Sequence, residues 1–125
     1  MIGYTTLGTK NLEKSVAYYD ILMEMLGAGR FMESDQFVAW AKSHDSVGFS
    51  VTKPFDGKEA TVGNGVMISL NAENEEQVKA IYAKAIELGG TDEGEPGPRS
   101  ENFYAGYFRD LDGNKLNIFC LTQPS

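Results

Sequence analysis

The sequence predicts an α+β fold made of two βαβββ modules in one chain. Three observations predict it. Residues 106 to 120, GYFRDLDGNKLNIFC, read as two strands around a tight Asp-Leu-Asp-Gly-Asn turn. Two amphipathic stretches, each opened by an asparagine and closed by a glycine, read as helices. The two stretches are also in phase: Val78 follows Val16, and Gly89 follows Gly27, by the same sixty-two positions, half of the 125-residue chain. A duplicated half-module is the economical reading.

Each element follows from local chemistry. The opening GYTTLG reads as a strand. Asn11 is placed to cap a helix whose apolar stripe is Leu12, Val16, Tyr19, Met23 and Leu26, with Gly27 as its stop. Three strand candidates follow, Gly29–Ser34, Gln36–Lys42 and Val47–Lys53, the last two joined by a polar turn at Ser43–Ser46. A loop from Pro54 to Gly65 leads to a strand at Val66–Asn71. Asn74 caps the second helix, with Gln77 at the capping-box position and Val78, Ile81, Ala85 and Leu88 as its stripe before Gly89. The Gly/Pro/Glu-rich run from Gly89 to Asn102 reads as a flexible acidic loop holding one short strand near Thr91. Strands Phe103–Arg109 and Lys115–Leu121 finish the chain. In the last strand Leu116, Ile118 and Cys120 share one face, and Lys115, Asn117 and Phe119 share the other. The expected organisation is one domain over residues 1–125, with module one at about 1–55 and module two at about 65–123.

Composition narrows the function classes. The chain is 42% hydrophobic and 11% aromatic, which suits a packed core. Its formal net charge is −7 and no Lys/Arg cluster offsets it, so nucleic acid and anionic membrane surfaces are not expected partners. Cys120 is the single cysteine, so no internal disulfide forms, and its apolar strand face marks it as a core residue. The opening MIGYTTLGTK lacks a basic region followed by a long apolar run, and no segment reaches membrane-spanning length. A cytoplasmic location is the expectation.

Three segments together resemble the vicinal-oxygen-chelate superfamily, which holds glyoxalase I, bleomycin-resistance proteins and extradiol dioxygenases. They are the closing hairpin, the opening LGTKNLEKSVAYYD and the second-module strand GNGVMISL, and the resemblance spans nearly the whole chain. It implies two curled mixed sheets with the helices on their convex faces and ligands within a concave cup. It also implies a homodimer. Metal-binding members draw ligands from inward-facing positions on the opening and closing strands of each module. By motif those positions fall here on Tyr4, Ser50, Met67 and Asn117, the last where the family usually places a metal-binding Glu. Phenol, alcohol, thioether and amide are poor donors for Zn²⁺, Ni²⁺ or Mg²⁺. Shifting each position by one residue brings in only Gly3, Thr5, Phe49, Val51, Val66, Ile68, Leu116 and Ile118. The expectation is therefore no metal and no cofactor.

Other chemistry is sparse. His44, the only histidine, sits in the polar turn beside Asp45 and reads as a solvated turn residue. A serine triad is not supported, since the only candidate base is His44. Asp110–Asn114 echoes a calcium loop, but its glycine falls at the fourth position and Leu121 stands at the twelfth, so the hairpin turn accounts for it. If that turn pairs Phe108 with Leu116, Tyr107 lies opposite Asn117, with Phe103, Ala105 and Phe119 on the same face. Together with Tyr4, Thr6, Ser50, Met67 and Ser69, this gives an aromatic, thioether and small-polar lining for a partly aromatic organic ligand, anchored by Tyr4, Tyr107 and Asn117. Trp40 would pair with Phe49 and join the helix-side core, whereas a turn different by one residue would swing it into the cup. Arg99 and Arg109 stand at the rim, where either could meet an anionic group or an ion-pair partner. The leading reading is a metal-free binder of a small organic molecule in the cup. The alternatives are a glyoxalase-like lyase or isomerase, or a dioxygenase-type enzyme, with an atypical or metal-free site, and a non-catalytic interaction module.

Overall fold

The computed structural model describes residues 1–122, so the expected end of module two at residue 123 lies outside the described residues. The chain divides into two compact units, one over Met1–Gly63 and one from Asn64 onward. Each carries one helix and one four-stranded mixed sheet.

Module one runs β1 (Tyr4–Gly8), α1 (Leu12–Met25), β2 (Gly29–Glu33), β3 (Phe37–Ala41) and β4 (Gly48–Thr52). Its strand order is β1-β4-β3-β2, with β1 parallel to β4 and the other pairs antiparallel. Module two repeats the plan with β5 (Ile68–Asn71), α2 (Glu75–Glu87), β6 (Thr91–Ser100), β7 (Phe103–Arg109) and β8 (Lys115–Leu121), in the order β5-β8-β7-β6. The first strand pairs with the last of its module, so the helix crosses over one face of the sheet, as a parallel connection requires.

The helix ends repeat as well. The Asn11 side chain accepts from the Lys14 N–H at 3.0 Å, and that of Asn74 from the Gln77 N–H at 2.9 Å. Gln77 answers by accepting from the Glu73 N–H at 2.8 Å, one residue earlier than the usual capping box reaches. Gly27 and Gly89 follow the last helical turns with positive φ, and the N–H groups of Ala28 and Gly90 close back onto Met23 and Ala85 at 2.8 and 2.9 Å. Both are Schellman stops.

Each helix packs on one sheet face. In module one, Val16, Tyr19 and Met23 are buried as the stripe predicts, and Ser15, Tyr18 and Leu22 widen it. The Tyr19 ring stands 4.7 Å from Phe49 and 5.9 Å from Trp40. Trp40 pairs with Phe49 in register, so it is helix-side core and points away from the Ser50 face. In module two, Val78, Ile81 and Ala85 are buried over Phe108, Leu116, Ile118 and Cys120. Burial also pushes the Cys120 thiol pKa up, as suits a core residue.

Two expectations need correction. The stretch after α2 is a ten-residue strand, not a flexible loop with a short strand near Thr91. Its Gly and Pro residues break the alternation that marks a strand, and the pairing with β7 shifts register at three places. Prolines are tolerated because β6 is an edge strand. The strand expected at Val66–Asn71 begins at Ile68, so Met67 lies just before it.

Asp20 ties α1 to the sheet. Its carboxylate takes a bidentate pair from Arg30 at 3.0 and 2.6 Å and the Trp40 indole N–H at 2.9 Å. Chiefly through the Arg30 hydrogen bonds, with help from Trp40, its pKa is held below the usual 3.8. A depressed carboxylate contributes stability above its unfolded pKa and loses it as pH falls through the folded value. Asp20→Asn is thus expected to cost about 1 kcal/mol at pH 7. Urea melts at neutral pH and well below pH 3.8 should show the gap between the two proteins closing in acid; a constant gap would contradict this.

Candidate functional site

The faces that carry no helix hold the residues singled out for ligand binding. In module one, Thr6 pairs with Ser50, and Ser50 is buried with its hydroxyl donating to the Thr5 carbonyl at 2.9 Å. Tyr4 pairs with Gly48 and is 67% exposed. The Phe31 ring leans over the same glycine, where a Cβ would meet Phe31 and Tyr4 at 3.2 Å each.

Module two brings more together. Tyr107 pairs with Asn117 and Phe108 with Leu116, the register that the turn residues predict. Gly106 faces α2, since a Cβ there would stand 3.1 Å from the Tyr82 ring. Strand alternation then turns Tyr107 to the opposite face, with Asn117, Lys115, Phe119 and Phe103. Ser69 pairs with Asn117 from the other side. Phe103 and Phe119 stack with centroids 5.2 Å apart. Met67 is 38% exposed at the start of β5. Asn117 is only 1% exposed, and its Oδ1 has no hydrogen-bond partner among the described residues.

The two rim arginines part company. Arg109 is engaged by Glu93 at 3.3 Å and donates to the Gly113 carbonyl at 2.8 Å, so it serves the hairpin. Arg99 lies over the Tyr107 ring, 5.3 Å from its centroid. Lys115, which the sequence places on the Asn117 face without assigning it a ligand role, has its ammonium 5.7 Å from the same ring. The signal for it was available, because it alternates in phase with Asn117 and Phe119. β6 is fastened beneath by Tyr82, whose hydroxyl donates to Asp92 at 2.6 Å. Burial, and then Asp92, pushes the Tyr82 pKa up to about 12, while the Tyr82 hydroxyl holds Asp92 below the usual carboxylate range. His44 is exposed in its turn.

The donor sets do not fit a divalent metal. The four motif positions offer phenol, alcohol, thioether and amide, none with the charged carboxylate or the imidazole that a divalent ion draws on. Among the described residues, no three His, Cys, Asp or Glu side chains gather where they could hold a metal ion. Nor, among those residues, is any helix long and apolar enough to cross a membrane.

Paired βαβββ modules, each with a helix on one face and a mixed sheet open on the other, define the class of glyoxalase-like proteins. The chain belongs to the Glyoxalase/Bleomycin resistance protein/Dioxygenase superfamily, whose family model matches residues 1–118. It is similar to a glyoxalase/bleomycin resistance protein from Albidiferax ferrireducens, at 34% identity and TM-score 0.89 over 99% of both chains. It is also similar to a hypothetical protein from S. aureus, at 26% identity and TM-score 0.72, over 96% of this chain and 92% of that one. A lactoylglutathione lyase from Agrobacterium tumefaciens shares the fold, at 19% identity and TM-score 0.69, over 96% of this chain and 92% of that one. No curated protein matches the chain.

Proposed function

We propose that this chain is a metal-free member of its superfamily that binds a small, partly aromatic organic molecule on the helix-free faces of its sheets. The observation that carries the reading is the exchange at the family's ligand positions. They hold Tyr4, Ser50, Met67 and Asn117, while Asn117 keeps a buried acceptor without a partner. Losing charged ligands removes the means to hold an ion, and a buried unpaired carbonyl oxygen asks for a donor from a bound molecule. On module two the stacked Phe103–Phe119 pair and Met67 supply apolar surface, and Tyr107 and Asn117 supply hydrogen bonds; on module one Tyr4 and Ser50 offer hydroxyls. Homodimerisation and a cytoplasmic location belong to the same proposal. Phe31, Met32 and Val47, all exposed on module one, give a dimer apolar surface to cover.

Elemental analysis of untagged protein, with and without Ni²⁺, Zn²⁺, Mn²⁺ or Fe²⁺ added before desalting, tests the first half. Less than a tenth of an equivalent of metal is expected. A stoichiometric metal would overturn the reading and favour the lyase, isomerase or dioxygenase alternative. A thermal-shift panel of small aromatic metabolites and antibiotics tests the second half, with stabilisation that grows with ligand concentration expected for at least one class.

A further inference from the structure

Three features of module two meet on one sheet face. Two cations approach one ring: Arg99 and Lys115 lie 5.3 and 5.7 Å from the Tyr107 centroid, within cation–π range. Neither joins an ion pair among the described residues, whereas Arg109 at the end of β7 is engaged by Glu93. Arg99 is held in place by the backbone of its own strand. Its Nη1 donates to the Gly97 carbonyl at 2.9 Å and its Nη2 to that of Glu95. Gly94 and Gly97 make room for it, since Cβ atoms there would stand 3.3 and 3.2 Å from its guanidinium nitrogens. A guanidinium has five N–H donors, so some remain for a ligand.

The second feature is the orphaned Oδ1 of Asn117, directly across from Tyr107 and 99% out of solvent by its 1% exposure. The third is the stacked Phe103–Phe119 pair. Along β8 these features fall in a fixed order on one face: the cation at Lys115, the acceptor at Asn117, the aromatic at Phe119. Alternate residues of a strand are about 7 Å apart, so the order is spelled out over about 13 Å.

Resting on the ligand-binding reading above, we propose that this face selects a hydroxy- or amino-substituted aryl carboxylate. Its carboxylate lies between Lys115 and Arg99, its O–H or N–H donates to Asn117 Oδ1, and its apolar body covers Phe119 and Phe103. A monoanion is favoured over phosphate. The chain carries net charge −7, so a dianion meets more repulsion.

Calorimetric titration with mandelate and 3-phenyllactate, which carry the carboxylate, the hydroxyl and the ring in that order, each beside its methyl ester, tests the proposal. At least one acid should bind tenfold or more tightly than its ester. Lys115→Met and Arg99→Gln should each weaken the acid at least fivefold and leave the ester unchanged. Both side chains are partly or fully exposed, so both variants should fold, and far-ultraviolet circular dichroism checks that they do. Equal affinity for acid and ester, or variants that leave the acid's affinity intact, would overturn the carboxylate site while the ligand-binding reading stands. Displacement of the acid by equimolar inorganic phosphate would overturn the choice of a monoanion. Binding only of neutral aromatics from the thermal-shift panel would overturn the site alone, and no binding by any compound would overturn both readings.

Discussion

Trp40→Ala is expected to lower the unfolding free energy by about 3–5 kcal/mol, the range for truncating a large buried aromatic. Trp40 is 1% exposed, and its ring stands 5.9 Å from Tyr19 and 6.1 Å from Phe49. The substitution removes the shared wall of that cluster and the N–H that donates to Asp20 at 2.9 Å. Against a typical total of about 5–15 kcal/mol, the loss is large enough that much of the variant should be unfolded or insoluble at 37 °C. Trp40→Phe keeps most of the packing and gives a graded reading, with about 1–2 kcal/mol lost in urea melts. A loss below 1 kcal/mol for the alanine variant would mean that the indole is not core. The consequence reaches the site face of module one. With Trp40 and Phe49 on the helix side, alternation sends Ala39 and Ser50 to the other face.

Most of the fold was legible because its signals are local. Asparagine caps, glycine stops and the alternation of Lys115–Leu121 are written into consecutive residues, and both terminal strands fall on the bounds that the pattern predicts. β6 was not legible. An edge strand with Pro96, Pro98 and two glycines has neither alternation nor β-propensity, and it is held by its pairing with β7 and by the Tyr82–Asp92 contact from α2. That gap concealed part of the candidate site. Arg99 can be placed over Tyr107 only once β6 is known to be a strand beside β7 and once Gly94 and Gly97 are seen to leave the space. Lys115 needed no such knowledge, only the alternation already applied to Asn117 and Phe119. The ion pair of Arg109 with Glu93 depends on the same β6–β7 pairing and was equally hidden. Sequence thus shows which residues share a strand face. Which cation is left without a carboxylate is a property of neighbouring strands.

Asp110→Ala is expected to cost about 3 kcal/mol and to degrade the candidate site with the same change. Asp110 is 4% exposed in the hairpin between β7 and β8. Its Oδ1 accepts from the Asp112 and Asn114 N–H groups at 2.9 Å each, and its Oδ2 from the Asn114 side-chain amide at 3.0 Å. Hydrogen bonds to a charged acceptor contribute about 1.5–3 kcal/mol, and buried donors stripped of their acceptor add a desolvation cost. In a domain of this size the melting temperature should fall by roughly 10 °C. Asp110→Asn keeps one carbonyl acceptor and should lose about half as much. The turn sets the register that places Tyr107 opposite Asn117 and Lys115 beside the Tyr107 ring. A slip of one residue would reverse every side chain of β8 across the sheet and bring the apolar Leu116 and Ile118 to the ligand face. Folded Asp110→Ala protein should therefore bind the aryl acid more weakly than parent protein does. Its tyrosine and tryptophan near-ultraviolet circular dichroism should change while the far-ultraviolet signal persists. Full stability and unchanged affinity would show that the backbone of the turn, and not the Asp110 carboxylate, fixes the register.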